Sequence, residues 1–192
     1  MARINENFQS LKQNYLFAEI AKRVAAFKQA HPEKKVISLG IGDVTLPLPA
    51  ACVEAMARAV AEMGDAATFR GYAPDYGYDF LRGAIADGDF RARGVDISPD
   101  EIYVSDGAKS DTGNFGDIFA AGSVVAVTDP VYPVYVDASV MAGREIRLIP
   151  CGEASGFAPA PPDFHADLVC LCSPNNPTGS VLTRAQLEAW VQ

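Results

Sequence analysis

At 192 residues, 49% hydrophobic and 21% charged, the chain has the composition of a soluble globular protein with enough apolar material for a sizeable core, and one to two domains are expected. Its 24 acidic against 16 basic residues give a net charge of −8, which repels nucleic acid and anionic membrane surfaces, so neither is expected as a partner. No stretch approaches the roughly 18 apolar residues of a membrane span, and the N-terminus lacks the basic-then-apolar order of a secretory signal, which makes a cytoplasmic protein the default.

Phe17, Ile20, Val24 and Phe27 recur at spacings of three and four, predicting an amphipathic helix from Tyr15 to Ala30 with Glu19, Lys22, Arg23 and Lys28 facing elsewhere. HPEKK ends it, and VISLGIGD reads as a short extended segment running into the Pro-rich turn TLPLP. A second helix is predicted from Ala51 to Met63, with Val53, Met56, Ala57 and Val60 on its inner side and Gly64 as its stop. A third begins near Tyr78. From Glu101 onward the pattern changes to short β-branched runs punctuated by Gly and Pro: IYVSDG, SVVAVTDP, REIRLIP and DLVCLCSP. These predict an open, mostly parallel α/β sheet with flanking helices over residues 46–192, the first 45 being an arm or a piece of a smaller domain. Thr183 with Gln186 makes a capping box for the last predicted helix, RAQLEAWVQ.

The four cysteines, Cys52, Cys151, Cys170 and Cys172, show no C-x-x-C spacing, and only His31 and His165 are available as nitrogen ligands, so no metal site is expected. Cys170 and Cys172 sit two apart in an apolar run and read as buried free thiols on one face of a strand. Both histidines read as surface or packing residues.

In open α/β sheets ligands gather at the carboxyl ends of the strands, and three of those ends carry suggestive chemistry. After IYVSDG, Gly107 permits a tight turn and the N–H groups of Ala108 and Lys109 open a helix, which is a phosphate cup in outline; a plain strand-to-helix turn with a solvated lysine fits the same residues. In TDPVYPVY, Pro130 and Pro133 stiffen the exit and direct Tyr132, either to lie flat on a planar ring or to pack with Tyr135 in a Pro-rich loop. In SPNNPTG, Pro174 and Pro177 bracket Asn175 and Asn176, so that a pinned amide can donate to a phenolate oxygen; an Asn-Pro turn without function is the other reading. TFRGYAPDYGYDFL adds Tyr72, whose hydroxyl can reach a phosphate. Phosphate, ring face and ring oxygen on one sheet edge describe a pyridoxal phosphate pocket better than a nucleotide pocket, and neither G-x-G-x-x-G nor a P-loop occurs.

On these residues the chain resembles the class I/II aminotransferases of fold type I, and more closely the LL-diaminopimelate aminotransferases. The strings YLFAEIAKRV, LGIGDVTLPLP, TFRGYAPDYGYDFLR, VSDGAKSDTGN, AVTDPVYPVYVD and LCSPNNPTG follow that family's order and cover nearly the whole chain. SPNNPTG points only to the broad superfamily, whereas GIGDVTLPLP and SDGAKSDTGN carry the narrower likeness. The resemblance implies pyridoxal 5'-phosphate as cofactor, with Ala108 and Lys109 cradling its phosphate, Tyr72 reaching the phosphate of a partner subunit in a homodimer, Tyr132 stacking on the ring and Asn176 bonding its oxygen. It implies substrate contacts, to an amino acid or a 2-oxo acid, from Tyr15, Gly42, Lys109, Tyr132 and Asn176. Ala73 stands where the family usually has Gly, Tyr76 where Gln is common, and NFGDIF departs from the usual pattern.

Transamination needs a lysine amine that bonds the cofactor and carries the proton. After Lys35 the only lysine is Lys109, at the phosphate end of the expected pocket and remote from the reacting carbon. No catalytic residue is therefore expected in this chain; the Schiff-base lysine of the family belongs beyond Gln192. The expectation is an N-terminal half, inactive alone, of an enzyme moving an amino group between LL-2,6-diaminopimelate and 2-oxoglutarate in lysine biosynthesis. The alternatives are another class I/II aminotransferase with a different amino donor, or a non-catalytic fragment retaining half the cofactor pocket. In this superfamily later strands flank the first one, so IYVSDG is expected to lack a neighbour here and to leave unpaired edges.

Overall fold

The computed structural model describes residues 2–11, 16–39 and 44–192, so Tyr15 and Gly42 lie outside the described residues. The chain divides into two compact units, one of residues 1–13 with 105–192 and one of residues 14–104.

In the second unit three helices form where the apolar spacing predicts them: α1 over Leu16–Ala30, α2 over Ala50–Met63 and α3 over Asp79–Ile85. The expected inner face of α2 is exposed, since Val53, Met56 and Val60 each keep more than half of their surface open. An amphipathic stripe needs a facing element, and none of the described residues covers this one. Gly64 ends α2 with φ −85°, a right-handed cap in place of the left-handed one a stop glycine usually adopts. The segment predicted as extended between α1 and α2 forms no strand among its described residues.

α3 is anchored through Arg82, only 6% exposed. Its guanidinium donates to Asp79 Oδ1 at 2.6 Å, to the Pro99 carbonyl at 2.9 Å and to Asp100 Oδ1 at 3.3 Å, and lies 4.5 Å from the centre of the Tyr76 ring. A charge removed from water this far persists because carboxylates, a carbonyl and an aromatic face replace the lost hydration. The same region is fastened by Val104 N–H donating to the Tyr76 carbonyl at 3.1 Å. Gly77 has φ +98°, and a β-carbon there would lie 2.7 Å from Val104 Cγ2, so the backbone at Gly77 approaches the Val104 side chain more closely than any other residue permits.

The first unit is an α/β layer built on a three-stranded parallel sheet. β1 (Val124–Asp129) is central between β2 (Glu145–Pro150) and β3 (Leu168–Cys170). Val125, Ala126, Val127 and Thr128 are all buried, the continuous burial expected of a parallel strand covered on both faces. α5 (Pro133–Met141) crosses from β1 to β2 and packs on both. Ala126, Ile149 and Cys151 form a core closed by Phe164, Ala166 and Trp190, the last from α6 (Arg184–Val191). α6 has the predicted capping box, with Thr183 N–H donating to Gln186 Oε1 at 2.8 Å and Gln186 N–H to Thr183 Oγ1 at 3.3 Å.

Of the four predicted strands, SVVAVTDP, REIRLIP and DLVCLCSP form. IYVSDG does not: Ile102 has extended dihedrals, but no strand is paired with it among the described residues, as the expectation of a missing neighbour requires. Several short helical turns go unforeseen, at Glu6–Ser10, Ala86–Phe90, Arg91–Arg93, Pro99–Glu101, Gly116–Ile118 and Glu153–Ser155. The 3-10 turn at Glu6–Ser10 packs on α5, where Asn5 Nδ2 and Asn7 Nδ2 donate to the Met141 carbonyl at 2.9 and 3.4 Å.

Candidate functional site

α4 (Ala108–Phe115) starts directly after Gly107, whose φ of +141° and ψ of +159° suit glycine and leave open space where a β-carbon would stand. Among the described residues no side chain caps this helix. Its first intrahelical bond is from Asp111 N–H to the Gly107 carbonyl at 3.2 Å, which leaves the N–H groups of Ala108, Lys109 and Ser110 without acceptors in the helix. Ser105 Oγ braces the turn, accepting from Gly107 N–H at 3.2 Å and donating to Asp111 Oδ2 at 2.7 Å. Ala108 and Lys109 are exposed. The result is a set of outward N–H donors at the positive end of a helix beside one ammonium group.

α4 packs against α5, the helix that begins immediately after Tyr132. Tyr132 lies at the exit of β1, half-buried, with its ring edge-on to Tyr135 at 6.3 Å. Tyr135 is held in turn from the β3 side: burial pushes its phenol above the usual value, and the Cys172 sulfur beside it adds to the rise. Cys170 and Cys172 are both half-buried where buried thiols were expected, and only Cys170 lies on β3; burial pushes the Cys170 thiol up, and Cys172, past the end of the strand, donates to the Pro174 carbonyl at 3.2 Å.

The exit of β3 reaches the exit of β1 through Asn175, whose Nδ2 donates to the Pro130 carbonyl at 3.3 Å and to Thr178 Oγ1 at 2.9 Å. Asn176 is exposed, and none of the described hydrogen bonds engages its side chain. One amide of the pair is thus tied into the scaffold and its neighbour is left with donors to offer. Tyr132 and Asn176 are brought to one edge of one sheet, as parallel strands require. Tyr72 is fully exposed in the loop ahead of α3, in the unit of residues 14–104.

Sequence reasoning missed three braces. Arg144 donates to the carbonyls of Gly116 and, at 3.4 Å, Phe119, fixing the segment that follows α4 to the start of β2. Arg82 is the second and Asn175 the third. For Arg82 an acid three residues earlier, Asp79, was a readable signal; for the other two, partners 25 or more positions away leave no local trace. Two hollows of about 410 and 470 Å³ lie away from the strand ends, one lined by Arg23, Phe27 and Lys34 and the other by Leu187 and Val191. Among the described residues no group of three or more His, Cys, Asp or Glu is placed to hold a metal ion, and no helix is long and apolar enough to cross a membrane.

The donor set at the sheet edge fits a phosphorylated ring. Free helix N–H groups and Lys109 suit a dianion, an aromatic side chain stands at the neighbouring exit, and an unengaged amide suits a ring oxygen. Comparison with known proteins gives the family. The family model described as "Aminotransferase class I and II" matches residues 34–192. The LL-diaminopimelate aminotransferase of Agathobacter rectalis is 55% identical over 100% of this chain and 50% of its own length. The structure of the L,L-diaminopimelate aminotransferase from Chlamydomonas reinhardtii superposes with a TM-score of 0.86 at 41% identity, over 99% of this chain and 49% of that one. An aspartate aminotransferase from Thermotoga maritima gives 0.82 at 27% identity, over 98% and 50%. The chain spans about half the length of the curated relatives it matches. With the match running from residue 34 to residue 192 and the likeness to one relative extending along all of it, the chain belongs to the class I and II aminotransferases.

Proposed function

We propose that a complete protein carrying this sequence is an aminotransferase that moves an amino group between LL-2,6-diaminopimelate and 2-oxoglutarate, in the biosynthesis of lysine, as a cytoplasmic homodimer. The observation that carries the reading is the 55% identity to an LL-diaminopimelate aminotransferase along the full extent of this chain. The family is one of pyridoxal phosphate enzymes. When bound, that cofactor supplies the electron sink that loosens the bonds at the substrate's α-carbon.

In this reading residues 46–192 belong to the cofactor domain, and residues 1–45 to an arm and small-domain segment. The N–H groups that open α4, with Lys109, hold the phosphate and so fix one end of the ring. Tyr132 covers a ring face and keeps water from it. Asn176, neutral and unengaged, donates to the ring oxygen and favours its ionised form. Tyr72 extends its hydroxyl to the phosphate bound by the other subunit. Tyr15, Gly42, Lys109, Tyr132 and Asn176 border the substrate. The lysine that moves the proton is not among these residues, because Lys109 serves the phosphate.

The complete protein, assayed with LL-diaminopimelate, aspartate, alanine and aromatic donors, is expected to turn over diaminopimelate most efficiently; no turnover of it ends the substrate assignment. The structural likeness to an aspartate aminotransferase favours a second reading, a related enzyme with another donor, and the same assay separates the two. The 192 residues alone are expected to give no lysine-bound cofactor absorbance and no transamination. A borohydride-reducible adduct mapped to Lys109 overturns that expectation.

A further inference from the structure

The adjacent amides of the β3 exit have different surroundings. Asn175 is committed on every side but one. Its backbone N–H donates to the Ser180 carbonyl at 2.8 Å and its carbonyl accepts from Gly179 N–H at 2.7 Å, closing the turn. Both Nδ2 hydrogens are used, one on the Pro130 carbonyl and one on Thr178 Oγ1. The Thr178 hydroxyl lies 2.9 Å from Ser180 Oγ, which donates its single proton to the Phe157 carbonyl at 3.0 Å. Thr178 must therefore be the donor in the hydroxyl pair, and the relay runs one way, from Asn175 through Thr178 and Ser180 to Phe157. It ties together the β1 exit, the β3 exit and the turn near residue 157.

Asn175 Oδ1 is buried without a partner among the described residues. Reversing the amide would press that oxygen against the Pro130 carbonyl, acceptor against acceptor, so only one orientation is allowed. We propose that Asn175 is a positioning residue that locks the loop carrying Tyr132 to the loop carrying Asn176, setting the gap a cofactor ring must fit. The inference rests on the reading that those two side chains hold the ring. Asparagine suits the task because it offers two N–H donors on a short arm. Aspartate of the same shape offers none and sets a charge against a carbonyl.

The test uses the complete protein with pyridoxal 5'-phosphate as probe, in the variants Asn175→Asp, Asn175→Ala, Thr178→Val and Thr178→Ser, with Asn176→Ala for comparison. Two amides report on the exits without the cofactor: Tyr135 N–H, bonded to the Tyr132 carbonyl at 3.4 Å, and Gly179 N–H. Loss of the lock is expected to speed hydrogen exchange at both by about fivefold or more in Asn175→Asp, Asn175→Ala and Thr178→Val. The pH midpoint of the bound cofactor's visible absorbance is expected to shift in the direction that Asn176→Ala shifts it. In the same three variants kcat is expected to fall about tenfold with little change in KM, as for a misplaced ring, and Thr178→Ser to restore wild-type behaviour. Faster exchange at Gly179 with none at Tyr135 overturns the inference, because Asn175 then shapes only its own turn. An absorbance midpoint that moves in Asn176→Ala and stays in Asn175→Asp also overturns it, leaving the ring reading intact. A midpoint unmoved by Asn176→Ala refutes the ring reading and takes this inference with it.

Discussion

Replacing Gly77 by alanine tests how firmly the loop that carries Tyr72 is fastened. At φ +98° an L-residue meets the left-handed penalty of about 1–2 kcal/mol. The new methyl would also stand 2.7 Å from Val104 Cγ2 and 2.8 Å from Val104 Cβ. Overpacking of that kind costs about 1–3 kcal/mol, and little of it can be relieved, since Val104 is β-branched and its Cβ is set by the backbone. Together the two effects come to about 2–5 kcal/mol. Two amides report on the loss in the complete protein: Gly77 N–H, on the Pro74 carbonyl at 2.8 Å, and Val104 N–H, on the Tyr76 carbonyl at 3.1 Å. Their hydrogen exchange is expected to accelerate by about 30-fold to several thousandfold. Adding Val104→Ala removes the 2.7 Å contact and leaves the 2.8 Å one, so it should recover part of the protection and no more. Acceleration below about threefold in Gly77→Ala would refute the close-approach reasoning.

Val127→Ala, at the centre of β1 and fully buried, is expected to cost about 2–3 kcal/mol in denaturant unfolding of the complete protein, against less than half that for the exposed Val169→Ala in β3. Thr183→Ala breaks the capping box and should lower the stability of α6 by about 1 kcal/mol, read as faster exchange of Gln186 N–H with no change at β1. Asp167 accepts from Val124 N–H at 2.8 Å and faces His165 at 3.2 Å, and these bonds, the first above all, hold its carboxyl below the usual range. The stability it contributes is therefore present above the ordinary carboxylate pKa of about 4 and is lost as pH falls through the lowered value. Asp167→Asn is expected to flatten the acid limb of a stability profile below about pH 4 while leaving the neutral region sloped as before, and an unchanged acid limb would count against the bond to β1.

Helix positions were the most readable part of the sequence, because a stripe at spacings of three and four needs only local order. α1 to α3 appear within a residue or two of expectation, although the stripe of α2 has no cover. Three of four strands were equally plain in their β-branched runs. Ile102-Tyr103-Val104 has the same composition, yet a strand exists only with a ladder partner, and local pattern cannot supply one. The turn at Glu6–Ser10 was invisible for a related reason: Asn5 and Asn7 act on Met141, more than 130 positions away. At the sheet edge, residue types suggested the chemistry of Gly107, Lys109, Tyr132 and the two asparagines. Which amide is bound and which is unengaged could be seen only once the exits of β1 and β3 stood side by side.

The order of strands in the sheet also bears on how the chain acquires it during synthesis. β1, α5 and β2 are contiguous, and their registry pairs Val124 with Glu145, so the central strand gains its first neighbour across a short crossover. β3 joins β1 from the other side only after a longer connection, pairing Val125 with Leu168 over three residues. A ribosome releasing this sequence from its N-terminus delivers a strand-helix-strand nucleus first, and the edge that later brings Asn175 and Asn176 docks onto it as a second event.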